Sequence, residues 1–292
     1  MQQGTKEWLE FRRTRIGASD SPIIMGLSPW KTPYELWMEK TGRREPPGMT
    51  DNQAFGHQME GRIRLEYEAQ RGELFMPEVV TSSEFDWMIA SLDGISGDRE
   101  TIIEIKTCGA KVFAEALQGH VPDYYMIQVQ HQLFCSKAKR CTMLFYNHSE
   151  QVKTGNGLAI VDVMPNENIQ AETVHHSADF YYKNMLEDLS PPVSEKDYVP
   201  FEDCAEVKKA AKDWLDAHRC MQEAKKKKEA AEQILKDATD GGNSLGHGVK
   251  LSYVTRKGSV DYSKITELQD VDLDAYRKPS VTYSKISPAK EG

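Results

Sequence analysis

The stretch TIIEIKT, residues 101 to 107, reads as a buried strand, yet it carries a carboxylate and an ammonium two positions apart. Side chains alternate across a strand, so Glu104 and Lys106 share one face and Ile103 and Ile105 the other. Burying either charge without a partner costs several kcal/mol, so the placement calls for a reason. The stretch SLDG, residues 91 to 94, puts Asp93 at the exit of the preceding strand. A hairpin folding about residues 97 to 100 sets Asp93 opposite Glu104, and two carboxylates and one ammonium then converge at one edge of a sheet. Carboxylates that close repel unless a positive charge sits between them, and oxygen ligands of this kind suit Mg²⁺ or Mn²⁺. A lysine beside such an ion can orient a water or stabilise charge building on a phosphate. The motif E-x-K alone has a second reading, a half-exposed strand whose charges simply face water. The hairpin-compatible spacing to Asp93 weakens this second reading without removing it.

These residues need elements to hold them. Residues 5 to 19 read as a helix followed by a turn, and SDSPIIMG as a short helix start with Ser19 or Asp20 as cap. In KTPYELWMEKTG, Thr32 and Glu35 form a capping box and Gly42 ends the helix. Residues 53 to 71 place Phe55, Met59, Ile63 and Tyr67 in one i, i+4 stripe. Strands are expected over 86 to 93 and 101 to 107, a helix over 123 to 136, a strand pair in RCTMLFYN and GLAIVDVMP, and a helix over 167 to 189. This is an α/β order, a central mixed sheet flanked by helices. Composition changes near residue 201: residues 203 to 238 are rich in Ala, Lys and Glu, and GVKLSYVTRKGSVDYSKI alternates like a hairpin turning near Lys257-Gly258. The expected division is residues 1–200 and a helical and hairpin extension over 201–292.

Of 292 residues, 39% are hydrophobic and 28% charged, as in ordinary water-soluble domains, and no apolar run reaches membrane-span length. Five scattered cysteines without a CxxC pair point to a reducing compartment and away from zinc or iron–sulfur ligation. A net charge of −8 argues against a non-specific nucleic-acid coat but permits a local basic surface.

Asp93, the ten residues after it, and EIK resemble the PD-(D/E)xK nuclease core. With WLEFRRTRIGASD (8 to 20), FGHQMEGRIRLEYE (55 to 68) and YMIQVQHQLF (125 to 134), the chain resembles the phage lambda exonuclease and YqaJ-type viral recombinase nucleases, motif by motif, over residues 5 to about 190. Leu92 stands where the family name expects proline, at a position that shapes the turn. The resemblance implies a restriction-endonuclease-like core. It implies Asp93 and Glu104 as metal-binding carboxylates, the Ile105 carbonyl as a backbone ligand, Lys106 as catalytic lysine and Glu60 as a further acidic ligand. It also implies Gln128 beside the metal centre, and Arg12 and Ser19 around a DNA 5′ phosphate. The implied activity is Mg²⁺-dependent 5′-to-3′ digestion of double-stranded DNA with two metal ions, Mn²⁺ being a possible substitute, which exposes a 3′ single strand for phage-type recombination. The implied partners are duplex DNA, a single-strand annealing protein and two further copies of the chain in a ring-shaped trimer. No membrane is implied, and the setting is the cytoplasm of a bacterial host, with the gene carried by a phage or prophage.

Bland alternatives stand beside these assignments. Glu60 can be a solvated helix charge, Gln128 a satisfied core amide with Gln130 as its look-alike, and Arg13 part of a solvated basic face. Tyr124 and Tyr125 read as packing. His57, His131, His175 and His176 lack a coherent ligand spacing, and the lysine run 225 to 228 reads as a solvated helix face. Two other functions remain open: a structure- or sequence-specific endonuclease with the same triad, and a non-catalytic DNA-end-binding protein.

Overall fold

The structure is a computed structural model describing residues 5–155, 157–239, 241–256, 258, 265 and 271. It divides into two units, Met1–Tyr198 and Val199–Gly292.

The first unit is a sheet between helices. Thr5 caps α1 (Lys6–Arg13) through its side chain, and the chain then turns into the two-residue strand β1 (Ile16–Gly17). α2 (Ser21–Ile24) is one turn long. α3 (Pro33–Lys40) starts with the expected Thr32/Glu35 capping box. α4 (Asp51–Arg71) has a second box, Thr50/Gln53, and ends at Gly72 in the left-handed region, φ 68°. Then come β2 (Phe75–Thr81), β3 (Met88–Ser96), β4 (Thr101–Thr107), α5 (Ala110–Leu117) and α6 (Asp123–Ser136). β5 (Arg140–Tyr146), α7 (His148–Thr154), β6 (Leu158–Val163) and α8 (Glu167–Asp179) follow, α8 continuing as a π-helical turn over Phe180–Leu186.

β3 and β4 are antiparallel, β4 and β5 parallel, β5 and β6 antiparallel. β4 therefore lies inside the sheet between β3 and β5, which corrects the expectation that the charged residues sit at a sheet edge. β2 runs along one edge of β3. The other edge of β3 is shared: β1 pairs in parallel at Met88 and Ile89, and β4 pairs only at Gly94 and Ile95. Beyond the Gly94–Ile103 pair the two strands part and leave a fork. Side chains fill it: His131 bonds the Ile89 carbonyl at 2.9 Å, Gln132 donates to the Ser91 carbonyl at 3.1 Å, and Arg64 to the Asp93 carbonyl at 3.1 Å. Buried carbonyls need such partners once a ladder ends.

Met59, Ile63 and Tyr67 of α4 pack on Ile103, Ile105 and Leu144 on one face of the sheet. α3, α5, α6 and the π-turn cover the larger core on the other, around Leu92, Met143 and Phe145. Leu92 is part of that core; where the family name expects a turn-shaping proline, this chain has a packing residue inside β3.

In the second unit α9 (Ala205–Asp237) is a 33-residue helix with no buried residue. Lys225 and Lys228 stand 3.9 and 3.5 Å from Glu229 and Glu232, the i, i+4 spacing of a solvated charged face. A hairpin pairs β7 (Ser244–Gly246) with β8 (Val249–Leu251) and turns at His247-Gly248, upstream of the turn expected near Lys257-Gly258. Residue 257 and most of the stretch after it lie outside the described residues.

Candidate active site

β4 turns Glu104 and Lys106 toward α6. The Glu104 side chain is 4% exposed and that of Lys106 21%. Three donors hold the carboxylate. Lys106 Nζ lies 2.6 Å from Oε1, Gln128 Nε2 donates to the same oxygen at 2.6 Å, and Gln132 Nε2 donates to Oε2 at 2.6 Å. Gln128 and Gln132 sit one helical turn apart and so share a face of α6. Gln130 does not: it donates to the Met164 carbonyl at 2.8 Å and accepts the Asn166 N–H at 2.8 Å, as a core amide. Gln132, passed over in the sequence, was detectable by its i+4 spacing from Gln128. Its Oε1 is buried without a partner among the described residues.

Across the fork, Asp93 Oδ2 accepts the Ile105 N–H at 2.8 Å. Burial first, then Glu104 and Glu60, push the Asp93 carboxyl well above its usual range, against the pull of Lys106 and that N–H. Glu60, half-buried on α4 and 3.7 Å from His57 Nδ1, is also raised, by burial and then by Glu104, despite His57. For Lys106, burial works against the charge, but Glu104 and Asp93 outweigh it and raise its pKa, so the ammonium keeps its proton. The site gathers three carboxyls, Asp93, Glu104 and Glu60, around one ammonium, an excess of acidic groups. A divalent cation with oxygen preference would relieve that excess, and the donor chemistry of Asp93, Glu104, Glu60 and the Ile105 carbonyl fits one. Among the described residues, no three Asp, Glu, His or Cys side chains stand together as a finished cation cluster.

Arg12 and Ser19 meet as well. Arg12 Nη2 donates to Ser19 Oγ at 2.7 Å and lies 3.4 Å from Asp20 Oδ1, with its guanidinium 5.2 Å from the Trp8 ring. The Arg12 side chain stays 36% exposed. A helix does start just behind Ser19: α2 is a single turn, and its N-cap residue Asp20 makes no side-chain cap hydrogen bond. Asp20 is instead a buried anion that Lys40 holds at 2.6 Å and the Gly17 N–H at 2.8 Å. Burial works against its charge, but Lys40 and then Arg12 overcome this and bring the pKa down to about 2. Nothing in the local sequence around Lys40 announced this pairing, which depends on tertiary approach. Gly17 permits it, since a Cβ there would stand 3.3 Å from Asp20 Oδ2 and 3.5 Å from Arg12 Nε. α6 ties the two regions together: His131 Nδ1 lies 2.6 Å from Ser21 Oγ, and its neighbour Gln132 bonds Glu104. His131 is thus a buried link between helix and strand.

Residues 7–139 match the YqaJ-like viral recombinase domain. The domain spans every residue placed in the fork and around Arg12. The uncharacterized protein YqaJ of Bacillus subtilis is 36% identical over 131 residues, which is 44% of this chain and 41% of that protein's length. The chain thus matches less than half of its curated relative. Among solved structures, the alkaline exonuclease LHK-Exo of Laribacter hongkongensis superposes with TM-score 0.54 at 21% identity, covering 63% of this chain and 94% of that one. The same protein in complex with dAMP gives TM-score 0.55. At that identity the likeness shows the fold alone, a central mixed sheet flanked by helices.

Proposed function

We propose that this chain is a Mg²⁺-dependent deoxyribonuclease that digests double-stranded DNA from 5′ toward 3′ and leaves 3′ single strands for phage-type recombination. The observation that carries the proposal is the buried Glu104–Lys106 pair facing Asp93 where β3 and β4 part. The 3′ single strand is the natural substrate of an annealing protein, the expected partner. A ring of three copies would let an acidic chain hold duplex by lining a bore with its basic residues. The proposed setting is the cytoplasm of a bacterial host; among the described residues no helix is long and apolar enough to cross a membrane.

Asp93, Glu104, Glu60 and the Ile105 carbonyl would hold the ions, two in the proposed reaction. When bound, Mg²⁺ would supply Lewis-acid charge stabilisation and activation of water, with Mn²⁺ as an alternative. Lys106, kept protonated by its carboxylates, presents a fixed positive charge to the phosphate being cut. Gln128 and Gln132 hold Glu104 in one rotamer. Arg12 and Ser19 supply a guanidinium and a hydroxyl to a terminal 5′ phosphate. Cutting the bond to the 3′ oxygen releases a 5′-mononucleotide and leaves a new 5′ phosphate on the shortened strand, so the same pocket is refilled after each cut. LHK-Exo, solved with dAMP, was captured with a nucleotide of that class.

The test is digestion of end-labelled linear duplex beside closed circular duplex, with Mg²⁺ or with EDTA. The proposal expects loss of 5′ label from the linear form only, and only with Mg²⁺. Cutting of the circle would make the chain an endonuclease, and no cutting of either would leave a DNA-end binder.

A further inference from the structure

Exposing an indole is unfavourable, and tryptophans usually turn most of their surface inward. Of the five tryptophans, Trp8, Trp37 and Trp87 are buried and Trp214 is half-buried. Trp30 is 68% exposed. It is not isolated: its ring is nearly perpendicular to that of Tyr124, 5.0 Å away at 82°, and lies 6.4 Å from Tyr125. Tyr124 and Tyr125 are 4.4 Å apart. The Tyr125 ring in turn lies 5.1 Å beneath Lys106 Nζ, the ammonium on Glu104. Three rings thus form a continuous ramp from solvent to the charged fork. The loop is braced where it starts, with Pro29 before Trp30 and Ser28 Oγ accepting the Trp30 N–H at 3.3 Å. The indole and the Tyr124 ring stand nearly perpendicular, and at 68% exposure most of the indole surface is open to solvent.

We infer that Trp30, with Tyr124 and Tyr125 behind it, is a stacking shelf for an unpaired nucleobase of the strand whose phosphate reaches Lys106. The shelf carries no formal charge; burial pushes the Tyr125 phenol up to about 12, so it remains neutral. A neutral π surface next to a fixed ammonium matches the two halves of a nucleotide, base and phosphate, in the order a strand presents them. Every base has a π face, so such a shelf accepts any sequence, as a digesting enzyme requires. This reverses the reading of Tyr124 and Tyr125 as packing alone. It rests on the nuclease proposal only in assigning the strand to be cut; the base contact itself is tested by binding.

The probe is a 5′-phosphorylated 12-nucleotide single strand carrying a 3′ dye, with copies made abasic at each of its first four positions. Binding is followed by anisotropy with Ca²⁺ in place of Mg²⁺, for the wild type, Trp30→Ala and Trp30→Phe. Because Trp30 is exposed, both variants should melt with the wild type. Trp30→Ala should bind the intact strand about 10-fold more weakly, on the order of one base-stacking contact. One abasic position should weaken the wild type by a similar factor and the alanine variant no further, while Trp30→Phe stays within about threefold of the wild type. Unchanged binding by Trp30→Ala, equal loss on intact and abasic strands, or no binding by the wild type would each overturn the shelf. Mg²⁺-dependent cleavage of duplex by the wild type is measured alongside. Its absence contradicts the nuclease proposal, whereas cleavage without base-dependent binding contradicts the shelf alone.

Discussion

Glu104 has two oxygens and three donors, so its geometry is decided before any substrate arrives. The alternation of EIK and the spacing to Asp93 made this legible, because strand period and hairpin register are local properties. The donors from α6 were half legible: Gln128 stood out by resemblance, while Gln132 needed only the i+4 rule. His131 was not legible, since a lone histidine says nothing until Ser21 and Ile89 close around it. Burial lowers its pKa to about 4, against the Ile89 carbonyl and Asp20, which pull it up, and with Lys40 adding to the depression. The unfolded chain binds that proton from about pH 6.5 downward and the folded chain only near 4, so stability is complete above 6.5 and falls as pH drops toward 4. Over that window the loss should be about 3 kcal/mol. Urea titrations of the wild type and His131→Gln between pH 7 and 4 check it: the variant should show a flatter dependence, and equal slopes would remove His131 as the cause.

The element that makes the site is the short β3–β4 ladder. Its two described pairs hold the strands together at Gly94, and their parting opens the space for side chains. The expected strand stopped at Asp93, but Gly94 lies within β3, where a Cβ would meet Phe75 Cβ at 2.6 Å and Ile103 Cγ1 at 2.9 Å. Gly94→Val should therefore force β2, β3 and β4 apart, cost about 1–3 kcal/mol, and displace Asp93. A melting temperature equal to that of the wild type would show that the sheet accommodates the side chain. β2 went unread because Pro77 and Glu78 break its alternation, and the register shifts between Met76 and Glu78. α5 and α7 are only 8 and 7 residues long, too short for a helical period to stand out. The helix start at Ser21 was legible, but not that Asp20, one of its two candidate caps, is taken up by Lys40.

At the scale of the molecule, composition changes near residue 201, and the two units divide at Tyr198–Val199. Every residue of the candidate site lies in the first unit, and α9 buries none of its own side chains. A chain of residues 1 to 200 should fold with one cooperative transition and keep Mg²⁺-dependent cleavage, with changes confined to DNA affinity or processivity. An insoluble product would make the second unit part of the core. The central claim is that the fork between β3 and β4 is a hydrolytic centre, and Lys106 is its most exposed test. Because Lys106 is paired inside the sheet and not at an edge, truncating it would strand Glu104; Lys106→Gln keeps a donor near that carboxylate while removing the charge. The deciding measurement is the initial rate at which a 5′-phosphorylated linear duplex is digested in Mg²⁺ by wild type and by folded Lys106→Gln. The account predicts Mg²⁺-dependent digestion by the wild type and a roughly 100- to 1,000-fold slower rate for the variant. Equal rates for the two would contradict it.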